Sequence, residues 1–157
     1  LEIIRDFDEV EVVFPVHRNP EVQRLAWGIL GSTPRVHLLD PLDYERFVAV
    51  MRQAYLVLTD SGGIQEEAPA LGKPVLVLRD TTERPEAVTA GTARLIGAGR
   101  EKVYAEVNRL LIEEAAYKEM AEAVNPYGDG KAAERIAGFL RWRYGFCAER
   151  PEEFSIN

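Results

Sequence analysis

Asp60-Ser61-Gly62-Gly63, set between an apolar run and a polar stretch that begins with Ile64-Gln65-Glu66-Glu67, has the residue types that can hold an anion. If a strand precedes it and a helix follows, the N–H groups of the helix start lie free beside glycines that leave the backbone open. A phosphate is favoured there by those donors and by the helix dipole. Ser61 adds a hydroxyl donor. The same residues also suit a tight turn that merely needs glycine, and spacing alone leaves both readings open. Gln65, Glu66 and Glu67 are then expected in the first turn of the helix. Carboxylates there either complement the dipole, by roughly 0.3–1 kcal/mol, or supply an acceptor for the two hydroxyls of a ribose. The residue types do not choose between Glu66 and Glu67.

A second polar cluster, Arg79-Asp80-Thr81-Thr82-Glu83-Arg84-Pro85, follows the run Pro74 to Leu78. In a parallel sheet it lies on the same edge as Ser61, where strand C-terminal ends meet a ligand. Arg84 has the forked donors for a diphosphate or sugar hydroxyl, and a salt-bridged surface loop is the plainer alternative. His17 follows a third strand-like run and reaches the same edge, whereas His37 begins a strand and reads as structural. The single cysteine, Cys147, the two histidines and the scattered carboxylates show no metal-ligand spacing, and no serine–histidine–acid set stands out.

The elements that must position these groups alternate in period, as in an α/β domain with a parallel sheet. Strands are expected over Glu11–Val16, Val36–Leu39, Tyr55–Thr59, Pro74–Leu78 and Thr92–Ile96. Leu1–Phe7 reads as the end of a helix. Asn19-Pro20 caps a helix to Leu30 that Gly31 ends, and Asp43 caps one from Tyr44 to Gln53 with Phe47, Val48 and Met51 inward. Helices follow over Ile64–Leu71, stopped by Gly72, over a short stretch from Pro85 closed by Gly91, and over Arg100–Ile112, Ala115–Ala123 and Lys131–Arg143. Asn125-Pro-Tyr-Gly-Asp-Gly130 is a turn cluster. From Gly145 onward the tail is polar and is expected to order only against a partner.

At 157 residues, with 46% hydrophobic and 29% charged residues, the chain suits one globular domain. A net charge of −7 argues against a nucleic-acid footprint but not against a diphosphate, which needs only local donors. Apolar runs are strand-length, too short to span a bilayer, and the N-terminus lacks the pattern of a signal peptide. One cysteine fits a reducing cytoplasm. Because the first residue is Leu1 and not Met, the chain is expected to be a fragment.

Four strings are specific: Phe-Pro-Val-His-Arg-Asn-Pro (14–20), Leu-Thr-Asp-Ser-Gly-Gly-Ile-Gln-Glu-Glu-Ala-Pro (58–69), Gly-Lys-Pro-Val-Leu-Val-Leu-Arg-Asp-Thr-Thr-Glu-Arg-Pro-Glu (72–86) and Asn-Pro-Tyr-Gly-Asp-Gly (125–130). With them, essentially the whole chain resembles the C-terminal half of the non-hydrolysing UDP-N-acetylglucosamine 2-epimerases. The resemblance implies a Rossmann-like parallel sheet with helices on both faces, one half of a two-domain fold of the glycosyltransferase-B and phosphorylase kind. Residues 1–144 would be the UDP-binding domain and 145–157 a tail, with the family's N-terminal domain and the first strand of this sheet absent. The implied reaction interconverts UDP-N-acetylglucosamine and UDP-N-acetylmannosamine, by eliminating UDP to a 2-acetamidoglucal and adding it back, in cytoplasmic synthesis of cell-envelope polysaccharide. No metal or organic cofactor is implied, and the whole protein is expected to be a homodimer.

By resemblance, Ser61, Gly62 and Gly63 hold the diphosphate, Glu67 the ribose hydroxyls and Arg84 the phosphates and sugar. Phe47 packs near the uracil, and backbone near Leu42 reads the base edge. His17 matches a histidine that contacts a second UDP-N-acetylglucosamine acting as activator. The carboxylates that handle the C2 proton belong to the absent half, so no residue here is expected to be catalytic. Two other readings stand beside this one: a glycosyltransferase of similar fold, which the Asp-Thr-Thr-Glu-Arg-Pro string argues against, and a non-catalytic UDP-sugar binding module.

Overall fold

The structure, a computed structural model, describes residues 1–155. Its strands are β1 (Val12–Pro15), β2 (Val36–Leu39), β3 (Val57–Thr59), β4 (Val75–Val77) and β5 (Ala93–Leu95). The helices are α1 (Glu2–Asp6), α2 (Pro20–Leu30), α3 (Tyr44–Gln53), α4 (Gly62–Glu67), α5 (Pro85–Thr89), α6 (Arg100–Ile112), α7 (Glu114–Ala121) and α8 (Ala132–Arg143). Most elements begin and end where the sequence places them. Asn19 caps α2 by accepting from the Glu21 N–H, and Asp43 caps α3 by accepting from the Arg46 N–H, each at 2.9 Å. Gly72 and Gly91 end their helical segments in the left-handed region, at φ +66° and +83°, where a Cβ is disfavoured.

All pairings are parallel, but they form two sheets, β1-β2 and β3-β4-β5. Among the described residues no strand pairs β1 with β3, so the division departs from the single sheet read from the sequence. The registers show which backbone groups this leaves. Val12 and Val16 of one strand run donate to Arg35 and Leu39, so Val13 directs its N–H and C=O away from β2. Val57 donates to Pro74, and Thr59 accepts from Leu78, so Leu58 directs its pair away from β4. Val13 and Leu58 are correspondingly exposed, at 45% and 41%.

The core is built on β4, whose three residues are fully buried. Successive strand side chains point to opposite faces. Val75 and Val77 therefore join Val57, Ala93, Met51, Ala68 and Ala87 on one face, under α3, α4 and α5. Leu76 joins Ile96, Val107, Leu110 and Met120 on the other, under α6 and α7, with Ile3 of α1 packed alongside. Arg35 ties α1 to the smaller sheet, donating to the carbonyls of Ile4, Phe7 and Val10 from a backbone held at φ +63°.

Two local departures have plain causes. The helix expected over Ile64–Leu71 starts two residues earlier and is interrupted: α4 stops at Glu67 and a 3-10 turn covers Pro69–Leu71. Pro69 has no N–H to give the ladder and its ring crowds the preceding turn. The polar tail is held by α8 itself. Arg150 stacks over the rings of Phe139 and Trp142, and Pro151 lies where a Cβ on Gly138 would come within 3.3 Å. The last two residues of the expected tail, 156–157, lie outside the described residues.

Replacing Leu76 with alanine is expected to cost about 2–5 kcal/mol, the range for a fully buried leucine. Leu58→Ala is expected to cost far less, since its side chain is unpacked on one side. Denaturant unfolding of the two variants checks this; equal losses would mean that the free side of β3 is covered in solution.

Candidate functional site

The C-terminal ends of β3 and β4 carry the two clusters singled out by residue type. After Thr59 the chain turns through Asp60 and Ser61 into α4. Thr59 Oγ1 accepts from the Ser61 N–H at 3.0 Å, and the buried Gln65 donates from Nε2 to the Ser61 carbonyl at 3.1 Å. Gln65 Oε1 accepts from the Thr82 hydroxyl at 2.6 Å, and Thr82 Oγ1 accepts from the Arg84 N–H at 3.0 Å. One buried amide therefore joins the glycine turn to the loop after β4 and fixes both. The Ser61 hydroxyl caps nothing and remains available as a donor.

The glycines have different surroundings. Neither Gly62 nor Gly63 adopts a left-handed φ. A Cβ on Gly62 would collide with Glu83 Oε1, whereas one on Gly63 would meet only Glu67 Oε1 and Ser61 Oγ, each at 3.9 Å. Ser61, Gly63 and Glu67 thus border one space.

Glu67 is the last residue of α4, not part of its first turn, so complementing the dipole does not account for it. Its Oε2 is buried and has no hydrogen-bond partner. A carboxylate oxygen kept from water without a donor is costly, and such an atom calls for a ligand or water to complete it. The phenol of Tyr44 is within reach of the Glu67 charge. Its pKa is raised, first by the charge of Glu67 and then by a loose hydrogen bond to it, although no bond of ordinary geometry joins the two.

Glu66 has a different partner. Arg84 donates from Nε to Glu66 Oε1, and this bond, followed by the Glu66 charge, raises the arginine's pKa. Arg84 Nη1 donates to the Glu83 carbonyl at 3.2 Å. The arginine is thereby oriented at the site edge with Nη2 left uncommitted. Tyr127, from the turn cluster, stands beside this pair; its hydroxyl is buried with no hydrogen bond of ordinary geometry, and burial raises its pKa against the opposing effect of the Ala87 backbone.

Phe47 packs half-buried against the β4 core cluster, and Leu42 is half-buried in the loop before α3. His17 stands exposed just beyond β1, its Nδ1 accepting from the Asn19 N–H at 3.1 Å. The neutral ring therefore carries its proton on Nε2, which is free to donate outward. His37 pairs with Glu11 at the surface, at 2.8 Å. Gln65 and Thr82 lie in the two clusters singled out by residue type, but residue type assigned neither a role, and Tyr44 and Tyr127 were not picked out. Among the described residues no group of three or more histidine, cysteine, aspartate or glutamate side chains is placed to hold a metal. No helix among them is long and apolar enough to cross a membrane.

The sequence profile of the family described as UDP-N-acetylglucosamine 2-epimerase matches residues 1–141. The chain belongs to this family. A Bacillus subtilis UDP-N-acetylglucosamine 2-epimerase is 50% identical over 153 residues, which are 98% of this chain and 40% of the relative. A Listeria monocytogenes structure, provisionally described as the same enzyme, superposes with a TM-score of 0.93 at 48% identity, over 99% of this chain and 41% of its own. The Staphylococcus aureus MnaA–UDP co-structure gives 0.89 at 45% identity, over 98% and 42%. The family domain seen here thus spans about 40% of the length of the relatives it matches.

The Tyr44–Glu67 contact makes a pH prediction. Replacing Glu67 with glutamine removes the charge that raises the Tyr44 pKa, so the phenol should titrate nearer the ordinary tyrosine value of about 10. With Glu67 present, the favourable contact of the neutral phenol is complete below that value and is lost as pH rises through the raised one. Phenolate absorbance against pH, in parent and variant with Tyr44→Phe as the blank, reads the shift; an identical curve would show that the two groups do not meet in solution.

Proposed function

We propose that this chain is the C-terminal, UDP-binding half of a non-hydrolysing UDP-N-acetylglucosamine 2-epimerase. The observation that carries the reading is the buried, partnerless Glu67 oxygen beside Ser61 and Gly63. A nucleoside diphosphate sugar supplies what that space lacks: ribose hydroxyls to donate to Glu67 and phosphate oxygens to accept from the Ser61 hydroxyl and the N–H groups of the glycine turn. Arg84 adds charge at the diphosphate and sugar, while Phe47 and the backbone near Leu42 border the uracil. UDP bound to the S. aureus relative supports the same choice of ligand.

The whole enzyme interconverts UDP-N-acetylglucosamine and UDP-N-acetylmannosamine in the cytoplasm, as a homodimer, by elimination and re-addition of UDP. This half holds the leaving group. Fixing the diphosphate with preorganised donors stabilises the charge that develops as the bond to the sugar breaks. The C2 proton is handled by carboxylates of the other half. The strand order supports this assignment: one parallel strand inserted between β1 and β3 would give the doubly wound order of six strands. His17, with Nε2–H directed outward, contacts a second UDP-N-acetylglucosamine that acts as an activator.

Glu67→Ala should lower UDP affinity by about 1.5–3 kcal/mol, the range for hydrogen bonds to a charged group. Glu66→Ala should cost less, because it removes only a support of Arg84. Calorimetric titration with UDP checks both, and the reverse ranking would move the ribose contact to Glu66.

The isolated chain should show no epimerase activity, since positioned acid–base groups contribute about 10²–10⁴-fold and are supplied elsewhere. In the whole enzyme, His17→Ala should blunt activation by UDP-N-acetylglucosamine when the reaction is run from UDP-N-acetylmannosamine. An unchanged activation ratio with a collapsed maximal rate would instead make His17 part of the chemistry.

A further inference from the structure

Glu83 has no role in the site so far, yet its carboxylate lies at the centre of it. One oxygen, Oε2, accepts from Arg79 Nη1 at 3.0 Å. The other, Oε1, fills the space where a Cβ on Gly62 would stand. Because the φ of Gly62 is ordinary, its backbone conformation does not demand glycine. What glycine permits here is the approach of this carboxylate.

The carboxylate is not a helix cap: its hydrogen bond comes from Arg79 and not from an N–H group of α4. It is held against the turn by Arg79 and by a loop that cannot drift, since Thr82 on one side is bonded to the buried Gln65 and Arg84 on the other is bonded to Glu66. The Glu83 side chain itself is half exposed. An anion thus stands against the turn that the preceding reading gives to the diphosphate, and its counter-ion is an arginine with further donors to offer.

We propose that Glu83 is an internal competitor of the diphosphate that sets how tightly the nucleotide is held. In the arrangement seen here it neutralises Arg79 and fills the space over Gly62. When a diphosphate enters, like charges cannot share that space, so the Glu83 side chain swings to solvent and Arg79 turns to the phosphate oxygens. The inference rests on the assignment of the Ser61-Gly62-Gly63 turn to the diphosphate. It adds two residues, Arg79 as a ligand in the bound state and Glu83 as the group that opposes binding. A site that must release and recapture the same diphosphate gains from such an opponent, because tight retention of the leaving group would slow each turnover.

The test titrates the chain and its Glu83→Gln, Glu83→Asp and Arg79→Ala variants with UDP, inorganic pyrophosphate and uridine, following backbone amide resonances by NMR. Glu83→Gln should bind UDP and pyrophosphate roughly tenfold more tightly, with uridine affinity unchanged, since uridine carries no phosphate. Glu83→Asp keeps the charge but shortens the arm that reaches Gly62, and should fall between parent and glutamine variant. Arg79→Ala should bind UDP more weakly. UDP binding that is unchanged or weakened in Glu83→Gln overturns the inference while leaving the nucleotide site intact. Failure of UDP to move the Ser61–Gly63 resonances in any variant, while Glu67→Ala also changes nothing, removes the site and the inference together. A uniform gain for uridine as well would assign the effect to general packing and also overturn it.

Discussion

The structure depends on the burial of β4 from both sides. A three-residue strand offers little by itself; its worth comes from the helices that its alternating side chains hold on each face. Val75 and Val77 anchor the helices that carry Glu67 and Tyr44, and Leu76 anchors the opposite layer. Because β3 and β4 run parallel and in register, Ser61 and Arg79 both emerge at their C-terminal ends. The site is therefore a by-product of core geometry, and its precision is that of a packed interior rather than of a mobile loop.

Within that frame, the proposed phosphate site is rich in carboxylates. Glu66, Glu67 and Glu83 all lie around one short helix, and each has a distinct neighbour: Arg84, the Tyr44 phenol and Arg79. Arg84 is thus oriented by two bonds, so little of its side-chain freedom is left to lose on binding. Of the three carboxylates, Glu67 alone has a buried oxygen that nothing among the described residues satisfies. Under the proposed function, an acidic protein accommodates an anionic ligand with Arg84 presented on a carboxylate support.

Much of the fold was legible because its punctuation is chemical. Asn19, Asp43, Gly72 and Gly91 mark helix ends by mechanisms that act within a few residues, and the run around Val75 reads as a strand covered on both faces. The division into two sheets was not legible, since strand order depends on long-range packing that period and composition do not encode. The interruption at Pro69 was present in the sequence, but the apolar periodicity across it suggested one helix. In the site, residue types located the glycine turn and the Arg84 loop. They could not decide between Glu66 and Glu67, because that choice turns on which carboxylate meets an arginine across 18 residues of chain. Tyr44 and Tyr127 were missed because a phenol at a helix start or in a turn has no pattern of its own.

The outward-facing backbone pairs of Val13 and Leu58 bear on how the polypeptide behaves in bulk. Each belongs to a short, apolar, parallel strand with one unmated side, and such sides are templates for intermolecular β-pairing. The flanks lack the usual protections: no lysine stands in β1 or β3, and the proline of β1 comes only at its end. Whether those two edges are occupied therefore bears on the colloidal stability of the polypeptide, beside its net charge of −7. Dilution, a bound strand or a charged residue placed on either edge would each act on the same weakness.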